Sequence, residues 1–216
     1  MEAARLTMVA QQIRTADVGD ERLLAQLRTV PREHFVPRAQ RALAFADTAI
    51  PLGRGQVMFA PMLDARLLQA LAVKPADRVL EIGTGSGYLT AVLAGLAATV
   101  HSVEIIPEFK LRAEENLAPF GFRHVALELG DGARGWPRHA PYDAILISGA
   151  LPLGPAGAFG ASLATGGRMV AFVGESPAIE VRLITRLGEK SFHEVSLFET
   201  DVPALLNAPQ PERFRF

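Results

Sequence analysis

The segment Glu81-Ile82-Gly83-Thr84-Gly85-Ser86-Gly87 follows a short apolar run and opens a helical pattern. Glycines at such a turn let the backbone approach a ligand closely, and the first N–H groups of the helix are unpaired donors. The spacing is Gly-x-Gly-x-Gly, whereas a dinucleotide loop prefers a glycine where bulky Tyr88 stands, so a pyrophosphate ligand is disfavoured. Glu104, with Ile105 behind it, ends the next β-like run, where an acid accepts hydrogen bonds from both ribose hydroxyls. Gly130-Asp131-Gly132 ends the run after that. Asp131 suits the exocyclic amine of adenine, and its glycines leave room. Glu81 suits an ammonium group. Each feature has a plainer reading, as a strand-end charge or an Asp-Gly turn. Together they fit an adenosine with a short charged tail, gathered at three strand ends.

The elements that must hold these residues follow from periodicity. From residue 75 onward short β-rich runs alternate with helical ones, which predicts a parallel sheet with right-handed crossovers. The expected strands are 78–82, 100–104, 125–129, 144–147 and 169–173, with helices over 88–96, 107–118 and 155–164. Ala144-Ile145-Leu146-Ile147 is continuously apolar, as a strand covered on both faces must be. Ile179, Val181 and Leu183 alternate, Gly188 intervenes, and Phe192 to Phe198 reads as a partner strand, so an antiparallel hairpin should close one edge. A ligand belongs at the carboxyl ends of the parallel strands, where strand order reverses. Before residue 75 the pattern is helical. Leu6, Val9 and Ile13 recur at helical spacing, Asp20 caps a helix bearing Leu23, Leu24 and Leu27, and Pro61 starts another. With a Pro and two Gly so close together, Ile50 to Gln56 is expected to be irregular. The expected division is a helical cap over 1–75 and a ligand-binding domain over 76–216, forming one compact unit.

The chain has 216 residues, 49% of them hydrophobic, and a net charge of −1. No basic excess points to nucleic acid or an anionic membrane. The absence of Cys excludes disulfides, thiolate nucleophiles and Cys-ligated metals. None of the five His pairs with another at i, i+4, so no metal is expected. No apolar run reaches membrane-spanning length and the first residues lack a signal-peptide pattern, so a cytoplasmic protein is expected.

The sequence resembles the class I S-adenosylmethionine-dependent methyltransferases, and within them the protein-L-isoaspartate O-methyltransferases. The marks are Val30-Pro31-Arg32-Glu33-His34-Phe35-Val36-Pro37, Pro51-Leu52-Gly53-Arg54-Gly55-Gln56, Arg78 through Tyr88, Gly130-Asp131-Gly132, and Ala140-Pro141-Tyr142-Asp143-Ala144-Ile145. The resemblance implies a doubly wound, mostly parallel seven-stranded Rossmann-like sheet with the antiparallel hairpin and an N-terminal cap. It implies S-adenosylmethionine as cofactor, S-adenosylhomocysteine as product, no metal, and isoaspartyl peptides or proteins as substrates; a monomer is expected, with an oligomer left open. One segment departs from the family. After Gly-Gln the family usually reads Thr-Ile-Ser, then any residue, then Pro; here Val57-Met58-Phe59-Ala60-Pro61 stands, and both hydroxyls are lost. The family's Ser is thought to help hold the isoaspartyl group, so a different acceptor, or cofactor binding without transfer, stays open beside the repair reading.

On the substrate side stand Arg54, Gln56, Met58 and Ser148. Arg54 reads as the partner of a substrate carboxylate or as a solvated cation. Met58 and Phe59 read as acceptor-pocket lining or as packing between cap and sheet. Ser148 ends the fourth strand beside small residues and is a candidate substrate contact. Trp136, His34 and His139 read as structural.

Overall fold

A computed structural model describes residues 1–212. Helix α1 (Glu2–Met8) runs on through a π turn at Val9–Ile13 and a 3-10 turn at Arg14–Ala16. The wider turn rotates the face that meets the core. Leu6, expected inside, is therefore 43% exposed, and the inward residues are Arg5, Met8, Val9 and Ile13. Helix α2 (Glu21–Thr29) starts as expected: the Asp20 carboxylate accepts from the Arg22 and Leu23 amides at 2.9 and 3.2 Å, satisfying two end donors. It buries Leu23, Leu24 and Leu27, and stops at Val30, which Pro31 holds extended. Short α3 (Arg32–Phe35) follows.

The stretch Ile50 to Gln56, expected to be irregular, belongs to a small hairpin of β1 (Ile50–Gly53) and β2 (Gln56–Met58), with Ile50 opposite Met58. Gly53, Arg54 and Gly55 all have positive φ, of 100°, 55° and 72°. The glycines thus make the turn rather than break the strands. Pro51 is tolerated because a two-stranded ribbon leaves its nitrogen on an edge. Helix α4 (Pro61–Leu71) has Pro61 in its first turn and ends at Ala72 in the left-handed region.

The main sheet contains β3 (Arg78–Ile82), β4 (Thr99–Glu104), β5 (Val125–Leu129), β6 (Tyr142–Leu151), β7 (Leu163–Glu175), β8 (Ala178–Arg186) and β9 (Phe192–Thr200). Their spatial order is β5-β4-β3-β6-β7-β8-β9, with β8 antiparallel to both neighbours. The doubly wound sheet and its hairpin edge match the expectation, although β6 and β7 run several residues longer. Order reverses between β3 and β6, which opens a crevice at their carboxyl ends.

Helices α4, α5 (Tyr88–Ala94) and α6 (Pro107–Leu117) belong to one face, whose core joins Leu24, Phe35 and Leu68 to Tyr88, Val92 and Val170. Residues before and after position 75 therefore share one core. The other face buries Leu80, Val103, Tyr142, Ile145 and Phe159 beneath short α7 (Gly157–Ser162). Between β5 and β6 the chain makes only a 3-10 turn, Pro137–His139, on this side. Among the described residues, no helix is long and apolar enough to cross a membrane.

Candidate active site

A cleft opens at the carboxyl ends of β3, β4, β5 and β6. Gly83 and Gly85 sit at its base with φ of 93° and 56°, a region open to glycine at little cost. The Gly83 amide donates to the Val103 carbonyl at 2.8 Å, tying the loop to β4. Glu104 is almost fully buried. It accepts the Gly85 amide at 2.8 Å and the Ile106 amide at 2.9 Å, so one carboxylate clamps the glycine loop to the next strand end. Asp131 closes its own turn by accepting the Ala133 amide at 3.0 Å. Gly132 packs so tightly that a Cβ there would lie 2.8 Å from Ile82 Cδ1.

On β6 the pairing to β7 slips between Leu146 and Ala150. Such a bulge at a sheet end re-aims side chains. Ser148 lies in it and lines the cleft, and its buried hydroxyl lacks a protein partner. The opposite wall is Leu52, Gln56, Val57, Met58 and Phe59 from the β1–β2 hairpin. Phe59 also packs edge-on against Phe172, with centroids 5.3 Å apart.

Of the sequence candidates, Ile82, Gly83, Gly85, Ser86, Glu104, Ile105, Gly130, Asp131 and Gly132 line the cleft, as do Gln56, Val57, Met58, Phe59 and Ser148. Four do not. Arg54 lies outside the cleft: its guanidinium is exposed and pairs with Glu108 at 2.6 Å, because the tight turn carries it to the outer edge. Thr84 is buried behind the loop, 2.5 Å from the Ser102 hydroxyl, and Gly87 caps α5. Glu81 faces inward. It accepts Thr90 Oγ1 at 2.5 Å and Ser102 Oγ at 2.7 Å, leaving Oε1 buried and unpartnered.

Among the lining groups that escaped the sequence reading, Asp64 and two tail leucines stand out. Asp64 of α4 reaches the cleft while bonded at 2.5 Å to the buried Arg32. Leu205 and Leu206 of the tail also form part of the wall. The tail is held by a bridge between Ala150 and Ala204, and Asn207 donates to the second oxygen of Asp131 at 3.0 Å. No periodicity marks these contacts, which join residues distant in sequence.

Burial raises the Glu81 carboxyl from 4.5 to about 7, partly opposed by Thr90 and Ser102. An acid raised on folding contributes stability that is complete below its unfolded value and lost as pH rises through its folded one. Here that window runs from 4.5 to about 7. The shift amounts to roughly 3 kcal/mol at most. Glu81→Gln stays neutral and has room for its amide nitrogen at the Oε1 position. Its stability relative to the parent should therefore rise between about pH 5 and pH 8, read from urea midpoints. A difference that does not change with pH would refute the assignment.

Residues 4–201 match the protein-L-isoaspartate(D-aspartate) O-methyltransferase family. The chain belongs to that family. It is 45% identical over 185 residues to the Methanoculleus marisnigri protein-L-isoaspartate O-methyltransferase, covering 85% of this chain and 84% of the relative. It is 42% identical over 209 residues to the Rhodopseudomonas palustris protein of that name, covering 95% of both. Two solved structures share the fold. A protein-L-isoaspartate O-methyltransferase superposes with a TM-score of 0.80 at 22% identity, covering 94% of this chain and 65% of its own. A Plasmodium falciparum protein described by that activity, solved with S-adenosyl-L-homocysteine, gives 0.81 at 18% identity, covering 93% and 97%.

Proposed function

We infer that the protein is an S-adenosylmethionine-dependent O-methyltransferase that methylates the free carboxylate of L-isoaspartyl residues in damaged peptides and proteins. The observation that carries this is the family match over residues 4–201. The cleft residues suit the cofactor, with positive-φ glycines for close backbone approach and two strand-end carboxylates, and the unsatisfied Ser148 hydroxyl is left for the substrate.

When bound, S-adenosylmethionine supplies an electrophilic methyl group on a sulfonium. The chain's own residues bind and orient. Glu104 takes the ribose hydroxyls, Asp131 the adenine amine, and the Gly83–Ser86 backbone the amino-acid end. Glu81 lies beneath the loop and acts through it. No general base is needed, because a carboxylate acceptor near pKa 4 is already ionised at pH 7. Catalysis is then in-line positioning and exclusion of water, for which the apolar Val57–Met58–Phe59 wall is suited. Losing two hydroxyls there weakens the hold on the acceptor by a few kcal/mol at most.

The apolar pair Val57 and Phe59 on that wall favours a second reading, a methyltransferase of this fold with another acceptor. Methyl incorporation from labelled cofactor into an isoaspartyl peptide, with the aspartyl peptide as control, separates them. Transfer to the isoaspartyl peptide alone is the expected result. No transfer by protein that binds the cofactor would leave the second reading or a non-catalytic binder.

A further inference from the structure

Away from the cleft, on the sheet face without a long helix, His101 of β4, Glu128 of β5 and His139 of the 3-10 turn converge. Their ligand-type atoms all lie within 4.8 Å of one another. His139 Nε2 is 2.7 Å from Glu128 Oε1, and His101 Nδ1 is 3.8 Å from the same oxygen. The two imidazoles stack with centroids 4.1 Å apart and planes 15° apart, so one ring must turn for both in-plane lone pairs to face a shared ion. His101 Nδ1 is buried and makes no hydrogen bond. That leaves a buried ring nitrogen beside a carboxylate, too far from it to form a hydrogen bond. The positions are only partly open to solvent, with side chains 17%, 14% and 33% exposed.

We propose that His101, Glu128 and His139 form a binding site for a zinc-class divalent transition metal. Two imidazoles and one carboxylate are the donor set such ions select, with the fourth position left to water. Hard cations of the calcium and magnesium kind take all-oxygen sites and are disfavoured. The surroundings complete the arrangement. Glu128 Oε2 accepts Arg138 Nη1 at 2.8 Å, an outer bond that orients this ligand, and the His139 carbonyl accepts Arg78 Nη2 at 2.6 Å, which holds the turn in place.

The site would fasten β4 and β5 to the turn that enters β6, where the described chain places no long helix. It lies on the opposite side of β4 from Ser102 and Glu104, since side chains alternate along a strand. Its role is thus a structural staple, separate from methyl transfer.

The test starts from chelator-treated protein titrated with Zn²⁺ against a chromophoric competitor, then with Co²⁺. One equivalent should bind, the unfolding temperature should rise, and Co²⁺ should give the intense visible absorption of a four-coordinate ion. His101→Ala and His139→Ala should each weaken zinc by more than the roughly 10–100-fold that losing an outer partner costs. His193→Ala, on exposed β9, should bind as the parent does. The wild-type imidazole nitrogen resonances of His101 and His139 should shift on zinc addition, which keeps the test valid if a variant fails to fold. Absence of stoichiometric binding, unaltered affinity in both variants, or unmoved resonances would overturn the proposal and leave a His139–Glu128 ion pair.

Discussion

Glu104→Ala should weaken S-adenosylmethionine binding by at least about 100-fold. The carboxylate does two jobs from one position. It accepts the Gly85 and Ile106 amides at 2.8 and 2.9 Å, fixing the glycine loop against β4. It also lines the cleft at the strand end where a ribose would lie. Hydrogen bonds to a charged acceptor contribute about 1.5–3 kcal/mol each, so losing two ribose bonds costs roughly 3 kcal/mol or more. Each 1.4 kcal/mol is about tenfold in affinity. The loosened loop adds to the loss, because Gly85 then has no fixed position. Glu104→Gln keeps an acceptor oxygen and loses the charge, and its deficit should be nearer tenfold. Calorimetric titration reads both. Alanine binding within about threefold of the parent, from protein that melts cooperatively, would end the ribose assignment.

What could be read from the sequence is what the chain encodes locally. The three strand ends are legible because each carries its chemistry beside the glycines that make room for it. The β8–β9 hairpin is legible because alternation around Gly188 leaves no length for a crossover helix. The β1–β2 hairpin was hidden because the same glycines that signal irregularity also permit a tight turn, and only the positive φ at Arg54 between them decides which. Glu81 was read as a ligand contact since it stands beside the loop, yet the pleat turns it toward Thr90 and Ser102. Contacts distant in sequence left no mark at all. Glu128 and His139 are 11 residues apart, and Asp131 and Asn207 are 76 apart. Neither spacing belongs to a helix or strand period.

The tail shows how such a contact changes the chemistry of a site. Asp131 offers two oxygens, and the Ala133 amide takes one while Asn207 takes the other. On the proposed placement, an adenine amine at Asp131 would share or displace the Asn207 bond, while Leu205 and Leu206 line the cleft with apolar surface. This wall of the cleft is therefore built by a strand-end turn and by the tail, which lies 76 residues further along the chain.

Arg32→Ala should be the most damaging single change to the fold, costing about 3–5 kcal/mol, the usual loss when one partner of a buried ion pair is removed. Arg32 is fully buried. It donates Nε to the Ala44 carbonyl at 2.9 Å, Nη1 to Asp64 Oδ2 at 2.5 Å, and Nη2 to the Phe59 carbonyl. Its guanidinium also lies 4.8 Å from the centre of the Tyr88 ring. Alanine strands two carbonyls and a carboxylate in the core. Burial already raises the Asp64 carboxyl to about 6 with Arg32 present, so without it that carboxylate becomes costlier still. Set against total stabilities of roughly 5–15 kcal/mol, the loss is a large fraction. Arg32→Lys should recover little, since an ammonium cannot reproduce a planar fork serving three acceptors. Arg32→Met with Asp64→Leu removes both charges and should be more stable than Arg32→Ala alone. Urea midpoints of the three variants test this, and an Arg32→Lys midpoint equal to the parent's would refute it. The same guanidinium ties the Phe59 backbone to α3 and α4. A folded remnant of Arg32→Ala at low temperature should therefore also lose the cleft wall, and with it kcat/KM on the isoaspartyl peptide.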